Sequence, residues 1–167
     1  MIARVSGIIG ESIVDGTGLR TTIFFQGCPH ACPGCHNPQT HNPDGGEERE
    51  LDTILADIKK NPLLDGITLS GGEPFFQAEA AADLAKKAHE MGLNVWTYTG
   101  YTWEEIFSSD QPAWKKLLRQ TDVLVDGRFL KQERTLDMPF VGSRNQRVID
   151  VAKSFEENQV VCILFLE

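Results

Sequence analysis

Two periods of apolar spacing alternate along the chain. Residues 19–26 (LRTTIFFQ) are β-branched and aromatic and read as a buried strand. In residues 51–60 the apolar positions Leu51, Ile54, Leu55 and Ile58 fall on one helical face, and Pro62 stops the helix. Residues 66–70 (GITLS) predict a short strand that ends at Gly71-Gly72. The clearest helix spans residues 77–91, with Ala81, Leu84, Ala85 and Ala88 on one side and Gly92 as its stop. Residues 93–97 predict the next strand, residues 103–118 a helix broken before Pro112, and residues 121–126 another strand. Residues 147–151 suit a strand, and residues 160–166 suit either a strand or a buried helix turn. Residues 37–50, rich in Pro, Gly, Asn and charge, read as a loop.

Strand and helix therefore alternate through the middle of the chain with short connections, which implies βαβ units and a parallel sheet. Ligands of such sheets gather at the carboxyl ends of the strands. Four segments follow strands and would share that rim. They are the cysteine-rich stretch after residue 27, Gly71-Gly72-Glu73-Pro74, Tyr98-Thr99-Gly100-Tyr101 and Asp126-Gly127-Arg128.

The length of 167 residues suits one domain, residues 1–167, and the 41% apolar and 24% charged content is that of an ordinary globular chain. Sixteen basic against twenty-four acidic residues leave a formal charge of −8, which speaks against nucleic acid or an anionic membrane surface as partner. No apolar run approaches the roughly 20 residues that span a bilayer. Residues 1–10 are too interrupted for a signal peptide, so a reducing cytoplasmic setting is expected.

That setting changes the meaning of the cysteines. Cys28, Cys32 and Cys35 form a C-x3-C-x2-C cluster, while Cys162 stands far away in an apolar run and reads as a core residue. Three clustered thiols in a reducing compartment point to metal binding or redox chemistry. Zinc would need a fourth ligand, for which His30, His36 and His41 are near in sequence. An iron–sulfur cube takes four cysteines as a rule, so three leave one iron open for reaction. Of the other histidines in these roles, His30 reads as a neighbour of the ligands or solvated, and His41 as a loop residue. The role of Arg20 stays open between partner, cofactor and a nearby acid.

The three cysteines at this spacing, followed by Gly71-Gly72-Glu73-Pro74 at a strand end, resemble the radical S-adenosylmethionine superfamily. The run Asp15-Gly16-Thr17-Gly18-Leu19-Arg20, then a strand, Gly27-Cys28 and Cys32-Pro33-Gly34-Cys35-His36-Asn37, is similar to the activating enzymes of glycyl-radical enzymes. Cys-Pro-Gly-Cys-His-Asn, with the later Asp126-Gly127-Arg128-Phe129 and residues 142–147 (GSRNQR), most resembles the activases of anaerobic (class III) ribonucleotide reductases. The family's first glycine motif commonly reads G-P-G, where this chain has Thr17, and Gly34 stands where an aromatic residue is frequent.

The resemblance implies an α/β fold of the radical S-adenosylmethionine type, an incomplete (β/α) barrel of about six mostly parallel strands. It implies a [4Fe-4S] cluster on Cys28, Cys32 and Cys35, with S-adenosylmethionine chelating the fourth iron. Reductive cleavage would give methionine and a 5′-deoxyadenosyl radical, which takes hydrogen from a backbone glycine of anaerobic ribonucleoside-triphosphate reductase. Around the cofactor the resemblance places Gly34, Cys35 and His36 near the adenine. Gly71 and Gly72 would let the backbone approach the cofactor; by its own chemistry Glu73 suits either the cofactor's ammonium or bracing of the loop, and Asp126 and Arg128 suit either a carboxylate or ribose edge or a surface salt bridge. A flavodoxin- or ferredoxin-type protein would supply the electron. The competing readings are activation of another glycyl-radical enzyme, such as pyruvate formate-lyase, and a zinc-binding interaction module.

Overall fold

A computed structural model describes residues 1–165. Seven strands form one sheet: β1 (Ile2–Ser12), β2 (Arg20–Phe25), β3 (Glu47–Glu50), β4 (Gly66–Gly71), β5 (Asn94–Tyr98), β6 (Val123–Asp126) and β7 (Arg147–Asp150). Their order is β3-β1-β2-β4-β5-β6-β7. The middle four, β2, β4, β5 and β6, run parallel, as the alternation of strand and helix predicts. Antiparallel strands extend both sides: β1 and β3 beyond β2, and β7 beyond β6. Among the described residues the sheet stays open, with β3 and β7 at its edges.

The helices are α1 (Leu51–Lys59), α2 (Ala78–Glu90), α3 (Trp103–Phe107), α4 (Pro112–Gln120) and α5 (Val151–Glu157). Alternation along each strand divides the two faces of the sheet. Ile23, Phe25, Ile67, Leu69, Val95 and Leu124 are buried against the helices and make the main core. The alanines of α2, Ala81, Ala85 and Ala88, are wholly buried, and so small a face lets the helix lie close to the strands. The opposite face carries a smaller cluster of Trp96, Val125 and Val148, packed by Tyr98, Phe140, Val141, Ile163 and Phe165.

The break before Pro112 is real: α3 ends at Phe107 and α4 starts at Pro112. Thr102 and Glu105 close a capping box at the start of α3. β1 was not legible in the hydrophobic pattern. Only Ala3, Val5 and Ser12 of its eleven residues are buried, and irregularities near Gly7 and Gly10 break its alternation. β3 lies inside the segment read as a loop. It is a charged edge strand, EERE, with no apolar face to announce it.

The segment after α5 forms one bridge, Cys162 to Ile149, rather than a full strand. Ile163 and Phe165 turn inward from it onto the smaller cluster. Cys162 turns outward and is exposed, which corrects its expected place in the core. Residue 166, the end of the expected strand, lies outside the described residues.

Arg20 resolves differently from any of its expected roles. It is fully buried, donates to Thr68 Oγ1 at 2.8 Å and to the Thr17 and Ile67 carbonyls at 2.9 and 2.7 Å, and lies over the Trp96 ring. Burial pulls its guanidinium down to about 10, which leaves it charged at neutral pH. It ties the Gly16–Gly18 turn to the start of β4. Arg20→Met strands those acceptors in the interior, at a cost of about 2–4 kcal/mol. Thermal unfolding of the apoprotein checks this, and an unchanged midpoint contradicts it.

Candidate cofactor site

The carboxyl ends of the four parallel strands surround one cavity of about 410 Å³. Cys28, Cys32 and Cys35 line it together with Gly71 and Gly72 at the end of β4, and Tyr98 and Thr99 at the end of β5. Residues far apart in sequence meet there because each stands at or just past the end of a strand of the same parallel sheet.

The cysteine loop is wound tightly. Gly27, Ala31 and Gly34 all have positive φ, at 101°, 47° and 75°. The Gly27 N–H donates to the Thr40 carbonyl at 2.7 Å, and the Cys28 N–H to the His41 carbonyl at 3.2 Å. On the other side the Glu73 N–H donates to the Gly27 carbonyl at 2.8 Å. A β-carbon on Gly72 would collide with that same carbonyl and crowd the Thr40 oxygen at 2.9 Å. Glycine here serves close backbone approach, and Gly71 adds a positive φ of 97°. Gly72→Ala therefore pushes the cysteine loop outward. Its expected result is a reconstituted iron content well below that of the wild type, read by iron and sulfide analysis. Full iron content would contradict this packing.

Burial raises the thiols of Cys28 and Cys32 above their ordinary range. Cys35 Sγ accepts the Asn37 N–H at 3.4 Å, so backbone already points at one of the sulfurs. Among the described residues no three Cys, His, Asp or Glu side chains converge closely enough to grip a single metal ion. Three cysteine thiols on one cavity are the donor set of an iron–sulfur cluster with one iron left open. The donor set and the space thus fit an iron–sulfur cluster.

Glu73 does not line the cavity. It is fully buried beneath the wall and accepts four groups. These are His30 Nε2 at 2.6 Å, Thr99 Oγ1 at 2.8 Å, the Gly100 N–H at 2.8 Å and the Phe75 N–H at 3.1 Å. His30, between two cysteines, stacks edge-on against Tyr101 with centroids 4.5 Å apart. One carboxylate therefore clamps the cysteine loop to the ends of β4 and β5.

Asp126 and Arg128 also stand outside the lining. Asp126 is buried, accepts the Trp103 N–H at 2.8 Å and pairs with Arg147 at 2.6 Å. Arg147 bridges on to Glu104, and these two acids raise its pKa. Arg128 is exposed and meets Glu105 at 3.7 Å. Between them, Gly127 and the neighbouring Phe129 do reach the cavity. Gly34 is exposed, with Lys131 and Phe129 carbons 3.4 Å from where its side chain would begin. His36 lines the cavity and packs on Phe129, centroids 5.1 Å apart.

Sequence reasoning assigned no site role to several residues of the wall. Asp15 lines it with Oδ2 held by Ser12 and Thr22 at 2.9 and 3.1 Å. Phe140, Val141 and Gln146 close the side opposite β2. The GSRNQR run signalled that segment without giving its place.

Comparison with known proteins decides what such a site belongs to. Residues 14–149 match the family described as a 4Fe-4S single cluster domain. The chain belongs to that iron–sulfur family. It is 37% identical over 143 residues to the anaerobic ribonucleoside-triphosphate reductase-activating protein of Vibrio cholerae, covering 80% of this chain and 89% of that one. The protein of the same name from Enterobacteria phage T4 is 33% identical, over 81% of this chain and 86% of its own. The pyruvate formate-lyase-activating enzyme of Clostridium pasteurianum is 34% identical, over 75% of this chain but 52% of that one. The chain is thus a member of the activating-enzyme family, and the matched span holds the three cysteines, the Gly-Gly turn and the far wall. No helix among the described residues is long and apolar enough to cross a membrane.

Proposed function

We propose that this chain is a glycyl-radical-enzyme activase whose protein substrate is anaerobic ribonucleoside-triphosphate reductase. The observation that carries the reading is the meeting of Cys28, Cys32, Cys35, Gly71 and Gly72 on one cavity at the carboxyl ends of the parallel strands. Cys28, Cys32 and Cys35 hold a [4Fe-4S] cluster by three irons, and S-adenosylmethionine takes the rest of the cavity. Bound there, the cluster would supply the one-electron chemistry by which an electron, one S-adenosylmethionine and one glycine α-hydrogen give methionine, 5′-deoxyadenosine and a glycyl radical.

The chain's own residues bind, orient and shield. Gly71 and Gly72 present bare backbone to the cofactor, with no β-carbon between. Glu73 keeps the cysteine loop against that backbone. His36 and Phe129 flank the adenine side, beside Gly34 and Cys35. Asp126 and Arg128 support the Gly127–Phe129 wall through Arg147, Trp103 and Glu105. The cavity walls keep water from the reacting atoms, while its open mouth admits a loop of the partner. A flavodoxin- or ferredoxin-type protein supplies the electron in the cytoplasm, and neither nucleic acid nor a membrane takes part.

The family also holds an activase of pyruvate formate-lyase, so the partner is what needs testing. The reduced, reconstituted chain with S-adenosylmethionine is incubated separately with each of the two glycyl-radical enzymes. Electron paramagnetic resonance should show a glycyl radical on the reductase and none on the lyase. A radical on the lyase alone would overturn the assignment of the partner.

A further inference from the structure

Residues 127–147 run past the cysteine loop and carry five basic and two acidic side chains. Of sixteen basic and twenty-four acidic residues overall, that leaves eleven against twenty-two in the rest of the chain. The segment is firmly held. The Thr135 N–H donates to the Gly142 carbonyl at 3.1 Å, the Arg144 N–H to the Glu133 carbonyl at 2.9 Å, and Gln146 Nε2 to the Gly127 carbonyl at 2.9 Å. Its inner side, through Phe129, Phe140 and Val141, walls the cofactor cavity. Arg128, Arg144 and Arg147 meet acids, whereas the exposed Lys131 and Arg134 form no ion pair among the described residues. Lys131 side-chain carbons lie 3.4 and 3.6 Å from where a side chain on Gly34 would begin. Pro33 and Gly34 are exposed, and both stand outside the cavity lining, as does Lys131. At the bend beyond Arg134, Leu136 is 89% exposed.

An activase of the kind proposed above serves two proteins at one cluster. One supplies an electron, and the other offers its glycine at the cavity mouth. The glycine must enter the cavity, but the electron need not. Electron transfer falls steeply with distance, so a carrier docks where the cluster's ligands come nearest the surface. Cys32 and Cys35 are joined by the exposed Pro33-Gly34, and Lys131 packs on that link. On the reading above that these cysteines hold a cluster, we propose that the outer face formed by Pro33-Gly34, Lys131, Arg134 and Leu136 docks an acidic one-electron carrier protein. Two unpaired cations beside an exposed leucine give the charged rim and the apolar contact of a transient interface. A chain of net charge −8 repels an acidic partner as a whole, so a local basic face sets where that partner lands. Lys86, Lys116 and Arg119 also share a surface cavity, but no cysteine lines it. Docking on the outer face leaves the mouth free for the glycine-bearing protein.

The test compares reconstituted wild type, the double variant Lys131→Glu with Arg134→Glu, and Lys59→Glu, with reduced flavodoxin as the acidic carrier. Lys59 is exposed at the end of α1, which leads to the opposite rim of the sheet. Iron is counted first, and stopped-flow absorbance then follows cluster reduction at low and high salt. The double variant should be reduced at least about tenfold more slowly at low salt, with the gap closing as salt rises. Lys59→Glu should match the wild type. With excess dithionite in place of flavodoxin, the double variant should form 5′-deoxyadenosine at the wild-type rate. As a second readout, carbodiimide, which joins a lysine amine to a carboxylate in contact, should link flavodoxin to Lys131 of the wild type. That readout carries the test if the double variant loads no iron. An unmoved rate at full iron content, an equal slowing in Lys59→Glu or with dithionite, or links confined to other lysines overturns the proposal. So does slower glycyl-radical formation on the reductase with reduction by flavodoxin intact, which would give this face to the protein substrate. A wild type that assembles no cluster would overturn the proposed function itself, and the cross-link would still decide the surface.

Discussion

Cys32→Ala should leave a folded chain that carries no stable cluster and forms no detectable 5′-deoxyadenosine. Cys32 is half-buried in the loop, away from the helix-covered core, so its loss costs the fold little. On the proposed assignment the site loses one of its three cysteine ligands. The fourth cysteine offers no replacement, because Cys162 is exposed on the segment that flanks β7. Altering a residue that merely orients a metal ligand typically costs 10–100-fold in affinity, so deleting a ligand itself should exceed about a hundredfold. Iron and sulfide per chain, together with visible absorbance, read the result. Retention of a full cluster by Cys32→Ala would remove that cysteine from the ligand set.

Glu73→Ala should be the most damaging substitution for the apoprotein. Its carboxylate is wholly buried and accepts from His30, Thr99, Gly100 and Phe75. Alanine strips the acceptor from all four donors and opens a hole between the cysteine loop and two strand ends. Removing one partner from such a buried charged network costs about 3–5 kcal/mol. For a chain of this size that lowers the unfolding midpoint by roughly 10 °C. Glu73→Gln keeps the shape and one carbonyl oxygen but turns an NH₂ toward donors, so it should fall between. Both should also lower cluster loading, because the loop loses its clamp. A midpoint for Glu73→Ala within a degree of wild type would contradict the clamp.

The fate of Glu73 shows how far the sequence could be read. The G-G-E-P run stands at the end of a parallel strand, as the alternation of strands and helices implied. Its glycines line the cavity, but the carboxylate turns under the wall, since donors from two other loops converge there. No local pattern announces that convergence. Asp126 and Arg128 follow the same logic: their loop reaches the cavity through Gly127 and Phe129, while their charges meet Arg147 and Glu105. The parallel middle of the sheet was legible because each strand carries its own apolar run. β1 and β3 were hidden because one is broken by irregularities and the other has no buried face. The buried Arg20 was opaque for a related reason: its partners are mainly backbone carbonyls, which leave no trace in side-chain spacing.

The central claim is that three cysteines and a Gly-Gly turn build one cofactor chamber for radical chemistry. The most direct measurement is anaerobic. The chain is reconstituted with iron and sulfide, reduced with dithionite and mixed with S-adenosylmethionine, and 5′-deoxyadenosine is assayed by chromatography. The account predicts that the wild type forms the nucleoside and Cys32→Ala does not. A colourless wild type that binds stoichiometric zinc and forms no nucleoside would contradict it.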